Sequence, residues 1–279
     1  MDARSIASLL SAASTQLTQH SSSARLDAEL LLCHCLQKPR TFLYTWPEHT
    51  LDAAQLEHFN GLIERRKNGE PIAYLTGERE FWSQSFEVTP DTLIPRSDTE
   101  TLVEQSLAKL GDTEGPFLDL GTGSGIIAIC VALERPDVGV TATDISDAAL
   151  EVARTNATKL NAKVNFIHSN WFESLNKKSF AVIASNPPYI AEGDPHLQLS
   201  GLPFEPISAL QSCDNGFADI TAIITDAPAY IKSGGWLLLE HGHSQAAGTR
   251  NIMLEQGFIT IDTIQDLSGN DRVTLGQLA

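Results

Sequence analysis

Asp119-Leu120-Gly121-Thr122-Gly123-Ser124-Gly125 decides the fold. It follows a short apolar run, Phe117-Leu118, and leads into Ile126-Ile127-Ala128-Ile129-Cys130-Val131-Ala132-Leu133, so it reads as strand, tight turn and helix. Glycine tolerates the left-handed backbone of such a turn and lets a ligand approach the main chain closely. A dinucleotide fingerprint would put its third small residue where this chain has Ile126. The spacing here is G-x-G-x-G, which favours a nucleoside cofactor without a pyrophosphate.

Downstream, strand and helix alternate. Residues 140–144 form a second strand, followed by a helix through Leu150 and Leu160. Further strands fall at 164–168, 180–184 and 236–239, a last helix at 245–256, and a closing hairpin at 258–265 with 272–275. This order describes an open, largely parallel α/β sheet with right-handed crossovers. Asp144 ends the second strand, about 20 residues after the loop, where a carboxylate can accept hydrogen bonds from both ribose hydroxyls. It could instead cap the next helix, a task Ser146 or Asp147 would do equally well. After the third strand, Trp171 offers an indole to an adenine, whereas Phe172 reads as a core aromatic.

The fourth strand runs directly into Asn186-Pro187-Pro188-Tyr189. Two prolines bring no N–H and hold Asn186 extended, so the Asn186 carboxamide and the following carbonyls are free to accept. An amide-type nitrogen is a poor nucleophile because its lone pair is delocalised, and positioning is its main difficulty. If Asn186 Oδ1 and the Pro187 carbonyl each take one N–H, the lone pair can be aimed at a methyl donor while Tyr189 stacks on the planar group. A strand-ending turn would explain the same residues by themselves. Their place after strand four of a G-x-G-x-G sheet favours methyl transfer.

Upstream, residues 2–68 are helical in pattern. Ile6, Leu9, Leu10 and Leu17 repeat near the helical period, Leu26, Leu30, Leu31, Cys33 and Cys35 fill a second segment, and a third runs through Leu56, Phe59, Leu62 and Ile63. The reading is a helical domain over 1–76, a β-hairpin connector over 77–94 and a catalytic domain over 95–279. Ser97 and Glu100 are spaced as a capping box for a helix over 101–110. Cys33-His34-Cys35 lacks a second ligand pair, and no metal is expected.

The 279 residues carry a net charge of −16, with 12 Lys/Arg against 26 Asp/Glu beyond residue 78. A channel for phosphates needs a basic stripe, so no direct nucleic-acid substrate is expected. No run reaches the roughly 20 apolar residues of a membrane span, and Met1-Asp2-Ala3-Arg4-Ser5 does not open a secretory signal. A cytoplasmic, monomeric protein is the expectation.

The chain resembles the HemK/PrmC protein-(glutamine-N5) methyltransferases of peptide chain release factors. The resemblance rests on the two motifs above together with Gly69-Glu70-Pro71-Ile72-Ala73-Tyr74-Leu75-Thr76-Gly77, Leu93-Ile94-Pro95-Arg96-Ser97-Asp98-Thr99-Glu100, Phe204-Glu205-Pro206, Leu237-Leu238-Leu239-Glu240-His241-Gly242 and Asn270-Asp271-Arg272-Val273. It implies a class I, Rossmann-like methyltransferase domain with a seven-stranded, mostly parallel sheet, and a helical N-terminal domain that docks a class 1 release factor. The cofactor implied is S-adenosyl-L-methionine, held by Gly121, Thr122, Gly123, Ser124, Gly125, Asp144, Trp171 and Asn186. Asn186, Pro187, Pro188 and Tyr189 would hold the glutamine of a Gly-Gly-Gln loop. Two residues depart from the family pattern: Ser97 stands for a proline, and Asn170 for an acidic residue. The rival readings are a DNA or RNA base amino-methyltransferase using the same cradle, and an interaction module that binds cofactor without turnover.

Overall fold

The computed structural model describes residues 2–177, 180–198 and 201–279. It divides into two units: Met1–Glu78 with Gln198–Phe204, and Arg79–Leu197 with Glu205–Ala279.

The first unit is helical: α1 (Ile6–Leu17), α2 (Ala24–Leu36), α3 (Arg40–Thr45), α4 (Ala53–Lys67) and α5 (Ile72–Thr76). Asp52 opens α4 with a reciprocal capping box to Gln55. Ile6, Leu9, Leu10, Leu17, Phe59, Leu62 and Ile63 form its core, as their spacing indicates. On α2 only some of the apolar residues are buried. Ala28, Leu31, Leu32 and Leu36 point inward and Leu26 is exposed. The inward face of α2 also carries two acids, which their partners make tolerable: Asp27 accepts from Arg66 at 2.8 Å, and Glu29 from Arg25 at 2.7 Å, Arg40 at 2.7 Å and Tyr44 at 2.8 Å.

The hairpin of β1 (Glu78–Phe81) and β2 (Gln84–Glu87) turns on Trp82 and Ser83, both left-handed. Asn156 fastens the hairpin by exchanging hydrogen bonds with the Glu87 backbone at 2.7 and 2.9 Å. The expected capping box of Ser97 and Glu100 does not form. Residues Ser97–Thr99 make a 3₁₀ turn ahead of α6 (Glu100–Asp112), and the Glu100 carboxylate accepts the Trp82 N–H at 3.1 Å instead.

Then follow β3 (Phe117–Leu120), α7 (Ile126–Glu134), β4 (Val140–Asp144), α8 (Asp147–Leu160), β5 (Val164–His168), β6 (Phe180–Ser185), the short strands β7 (Ile190–Ala191) and β8 (Gln211–Ser212), the turn α9 (Cys213–Gly216), α10 (Ala218–Asp226), β9 (Ile231–Glu240), α11 (Ala246–Glu255), β10 (Phe258–Gln265) and β11 (Asp271–Leu278). The main sheet has seven strands in the order β10-β11-β9-β6-β3-β4-β5, with β11 alone reversed. Helices cover both faces, so β3 and β6 are buried throughout and read as continuous apolar runs. From β3 the chain proceeds outward through β4 and β5, then returns to the other side of β3 as β6. That reversal opens a crevice at the carboxyl ends of β3 and β6.

Candidate active site

Register brings the two motifs to the same level. Leu120 pairs with Ser185 across β3 and β6, so Gly121 and Asn186 leave the sheet side by side although 65 residues separate them in sequence. The Ser185 hydroxyl, fully buried, ties the strand ends by donating to the Leu120 carbonyl at 2.7 Å.

Gly121, Gly123 and Gly125 all take left-handed φ, between 56° and 86°. The Thr122 N–H donates to the Thr143 carbonyl at 2.9 Å, which pins the loop to β4. Asp144 does the same from its side chain: one oxygen accepts the Gly123 N–H at 2.9 Å and the other the Ser146 N–H at 2.9 Å. Each oxygen keeps lone-pair capacity for a further donor. Burial pushes the Asp144 pKa up, and these backbone donors offset part of that. Ser146 is the cap of α8, accepting from Ala149 at 3.1 Å.

A cavity of about 470 Å³ fills the crevice. Of the residues expected to bind, it brings together Gly121, Thr122, Gly123, Ser124, Asp144, Trp171, Asn186 and Pro188. Gly125, Pro187 and Tyr189 do not border it. Gly125 packs on α8, and Pro187 is buried. Tyr189 turns its ring toward Gly242, and its carbonyl accepts from Gln245 at 3.1 Å.

Trp171, itself left-handed, lays its ring on Gly121. Beside it Asn170 lines the cavity and donates Nδ2 to Glu173 at 2.8 Å. A carboxylate only accepts, so this bond reserves Asn170 Oδ1 as an acceptor, the function an acid would serve at that position. Phe172 is buried and stacks on Tyr230 at 4.5 Å, a core aromatic as expected.

Four further groups belong to the site and were not singled out from the sequence. Asp119, fully buried, accepts from Thr122 at 2.6 Å and from the Ala128 N–H at 3.3 Å, while its Oδ1 has no hydrogen-bond partner. Burial lifts its pKa to about 7. Glu205 holds one cavity wall, accepting the Ile94 N–H at 2.9 Å and Arg96 at 2.5 Å. Thr99 accepts from Asn186 Nδ2 at 3.3 Å. Glu240 lies buried at the end of β9, its pKa also raised to about 7 by burial against the opposing effects of Thr99, Arg272 and Tyr189. The neighbouring His241 is explained by structure alone, with Nε2 on Thr274 at 2.7 Å and Nδ1 on the Gly242 carbonyl at 2.9 Å.

The arrangement sets a nucleoside-sized cleft beside the Asn186 carboxamide. Among the described residues, no helix is long and apolar enough to cross a membrane. Comparison with known proteins agrees on the chemistry. Residues 8–77 match the PrmC N-terminal domain, and residues 97–200 the methyltransferase small domain. In solved structures, a methyltransferase from Pyrococcus furiosus superposes with a TM-score of 0.52 at 20% identity, over 78% of this chain and 96% of that one. The Thermus thermophilus 16S rRNA N2 G1207 methyltransferase, in complex with AdoMet and guanosine, gives 0.54 at 18% identity, over 72% and 50%. At those identities the likeness establishes the class I methyltransferase fold alone. The sequence relatives say more. The release factor glutamine methyltransferase of Vibrio cholerae is 50% identical over 98% of this chain and 96% of its own length, and that of Escherichia coli K12 is 47% identical over 93% and 94%. With nearly every position of the chain aligned at such identity, the protein belongs to the HemK/PrmC family of release factor glutamine methyltransferases.

Proposed function

We propose that this methyltransferase moves the methyl group of S-adenosyl-L-methionine to the side-chain amide nitrogen of the glutamine in the Gly-Gly-Gln loop of class 1 release factors. The observation that carries this reading is the state of Asn186. Its Nδ2 is committed to Thr99, so Oδ1 is the group it offers to the cavity, and that cavity also contains Gly123, Asp144 and Trp171.

The residues present fit the cofactor. Asp144 supplies carboxylate oxygens for ribose hydroxyls, Trp171 a ring and Asn170 an amide oxygen for adenine, and the left-handed glycines a wall without side chains. What the cofactor supplies when bound is a methyl group made electrophilic by a sulfonium sulfur. The protein's own contribution is orientation. Asn186 Oδ1, on the cavity wall with Pro188, accepts one amide N–H, and the Pro187 carbonyl and Tyr189, set back from the cavity, complete the cradle once the substrate enters; the proton displaced from the methylated nitrogen leaves to water. No side chain is required as a base. The helical unit docks the release factor, and the reaction takes place in the cytoplasm with a monomeric enzyme. A nucleic-acid substrate fits poorly with 26 acidic against 12 basic residues beyond residue 78.

Purified protein should transfer labelled methyl from S-adenosylmethionine to a release factor, and changing the factor's loop glutamine to alanine should abolish the label. Equal labelling of the altered factor would overturn the reading.

A further inference from the structure

Leu239 pairs with Ser185, so Glu240 follows at the end of β9 as Asn186 follows β6, and among the described residues one oxygen of its carboxylate has no hydrogen-bond partner. The hydroxyls of Thr99 and Tyr189 hydrogen-bond to this carboxylate. Arg272 on β11 and Asp98 ahead of α6 also act on it, and Arg272 is shared with Asp98 at 3.2 Å and Asp266 at 3.2 Å. Thr99 in turn accepts from Asn186 Nδ2. A hydroxyl has one proton. If Thr99 gives its proton to a carboxylate, the oxygen has only lone pairs left for Asn186, and only the NH₂ end of the carboxamide can meet them.

We propose that Glu240 is a positioning residue: through Thr99 it dictates which end of the Asn186 carboxamide faces the substrate. This rests on Asn186 holding the substrate amide, as argued above. The carboxylate accepts from Thr99, Thr99 accepts from Asn186, and Asn186 Oδ1 is thereby aimed at the substrate N–H. A protonated Glu240 can donate to Thr99 and free the Thr99 proton for Asn186. The carboxamide then turns over and presents NH₂ to a substrate that also presents N–H, so the cradle repels what it should hold.

The direction of the pH effect follows. The relay is intact above the Glu240 pKa of about 7 and is lost as pH falls through it. Wild-type kcat for release-factor methylation should therefore fall below about pH 7 while cofactor affinity measured by calorimetry stays level. Glu240→Gln keeps an acceptor oxygen that does not titrate, and should flatten this acid limb. Thr99→Val removes the relay at nearly constant volume and should lower kcat by roughly 10- to 100-fold with cofactor affinity unchanged. Thr99→Ser should restore most of that loss. Activity apart, the Asn186 side-chain amide signals of ¹⁵N-labelled wild-type protein, identified by their loss in Asn186→Ala, should shift with a midpoint near pH 7. They should be insensitive to pH over the same range in Thr99→Val.

An acid limb that persists in Glu240→Gln, a Thr99→Val kcat within twofold of wild type, or Asn186 signals unmoved by pH would each overturn the proposal. A wild-type enzyme that leaves the loop glutamine unmethylated is a separate failure, and it would overturn the substrate assignment instead.

Discussion

The Trp171 ring rests on the main chain of Gly121: a β-carbon at Gly121 would stand 3.1 Å from Trp171 Cζ3. Gly121→Ala must therefore push the indole out of position, in addition to straining a residue at φ +69°. We expect cofactor affinity to weaken by about 1–2 kcal/mol, read by calorimetry with S-adenosylmethionine. Binding as tight as wild type would mean that the indole does not contact the cofactor.

Asp144 braces the glycine loop and faces the cavity with the same carboxylate. Asp144→Ala should weaken cofactor binding by on the order of 1–3 kcal/mol. Should calorimetry show no change, Asp144 would be a brace for the loop and nothing more.

Asn186 acts on the nucleophile. Asn186→Ala should reduce kcat by at least roughly 100-fold, an orientation effect, and leave cofactor affinity within a few-fold of wild type. Rate measured at saturating cofactor, set beside calorimetry, separates the two. A parallel loss of both would make Asn186 chiefly a cofactor ligand.

Two loop glycines should differ in stability. A β-carbon at Gly125 would meet Ile129 Cδ1 at 2.8 Å and Ala153 Cβ at 3.1 Å, where α7 and α8 close on each other, whereas at Gly123 it would meet nothing within 4 Å. Both are left-handed, so each alanine costs about 1–2 kcal/mol in backbone strain. Gly125→Ala should lose a further 1–3 kcal/mol or so to overpacking. Urea denaturation of the two variants tests the ranking, and equal midpoints would contradict it.

Asp119 ties stability to pH. Its pKa is raised by burial to about 7 in the folded protein, against about 3.9 in an unfolded chain. Between those values the folded state keeps a proton that the unfolded state has released, so stability falls as pH rises from about 4 to about 7. Asp119→Asn removes that dependence. Relative to wild type, the variant should gain stability by on the order of 1–4 kcal/mol between pH 5 and pH 8, measured by urea midpoints. A difference that stays constant with pH would show Asp119 ionised throughout.

The parts of this protein that were legible in the sequence are those in which neighbours in the chain act together. The glycine loop, Asp144 at a strand end and Asn186 with its prolines each bring a local signal, and parallel pairing then puts them at one crevice. Thr99, Glu205, Glu240 and Arg272 lie in segments that carry the family resemblance, yet their roles are not local: Thr99 meets Asn186, Glu205 meets Ile94, and Glu240 is acted on by Thr99 and Arg272, each from a separate element. Asp119 was hidden differently: inside an apolar strand next to a glycine turn, it reads as a strand residue until its burial is seen. Ser97 and Glu100 had the spacing of a cap, yet a 3₁₀ turn came between and the hairpin claimed the carboxylate. On α2, the apolar residues alone do not mark the buried face, because two acids with arginine partners share it.

The reversed strand β11 brings a positive charge to the carboxyl edge of the sheet. Running opposite to its neighbours, it delivers its first residues to the carboxyl edge of the sheet, where Val273 pairs with Glu240 and Arg272 reaches Asp98. Arg272 thus balances Asp98 and Asp266 from a strand remote in sequence from the glycine loop and Asn186. Fraying of β11 would withdraw that positive charge from beside Glu240 while leaving the glycine loop and Asn186 in register on β3 and β6.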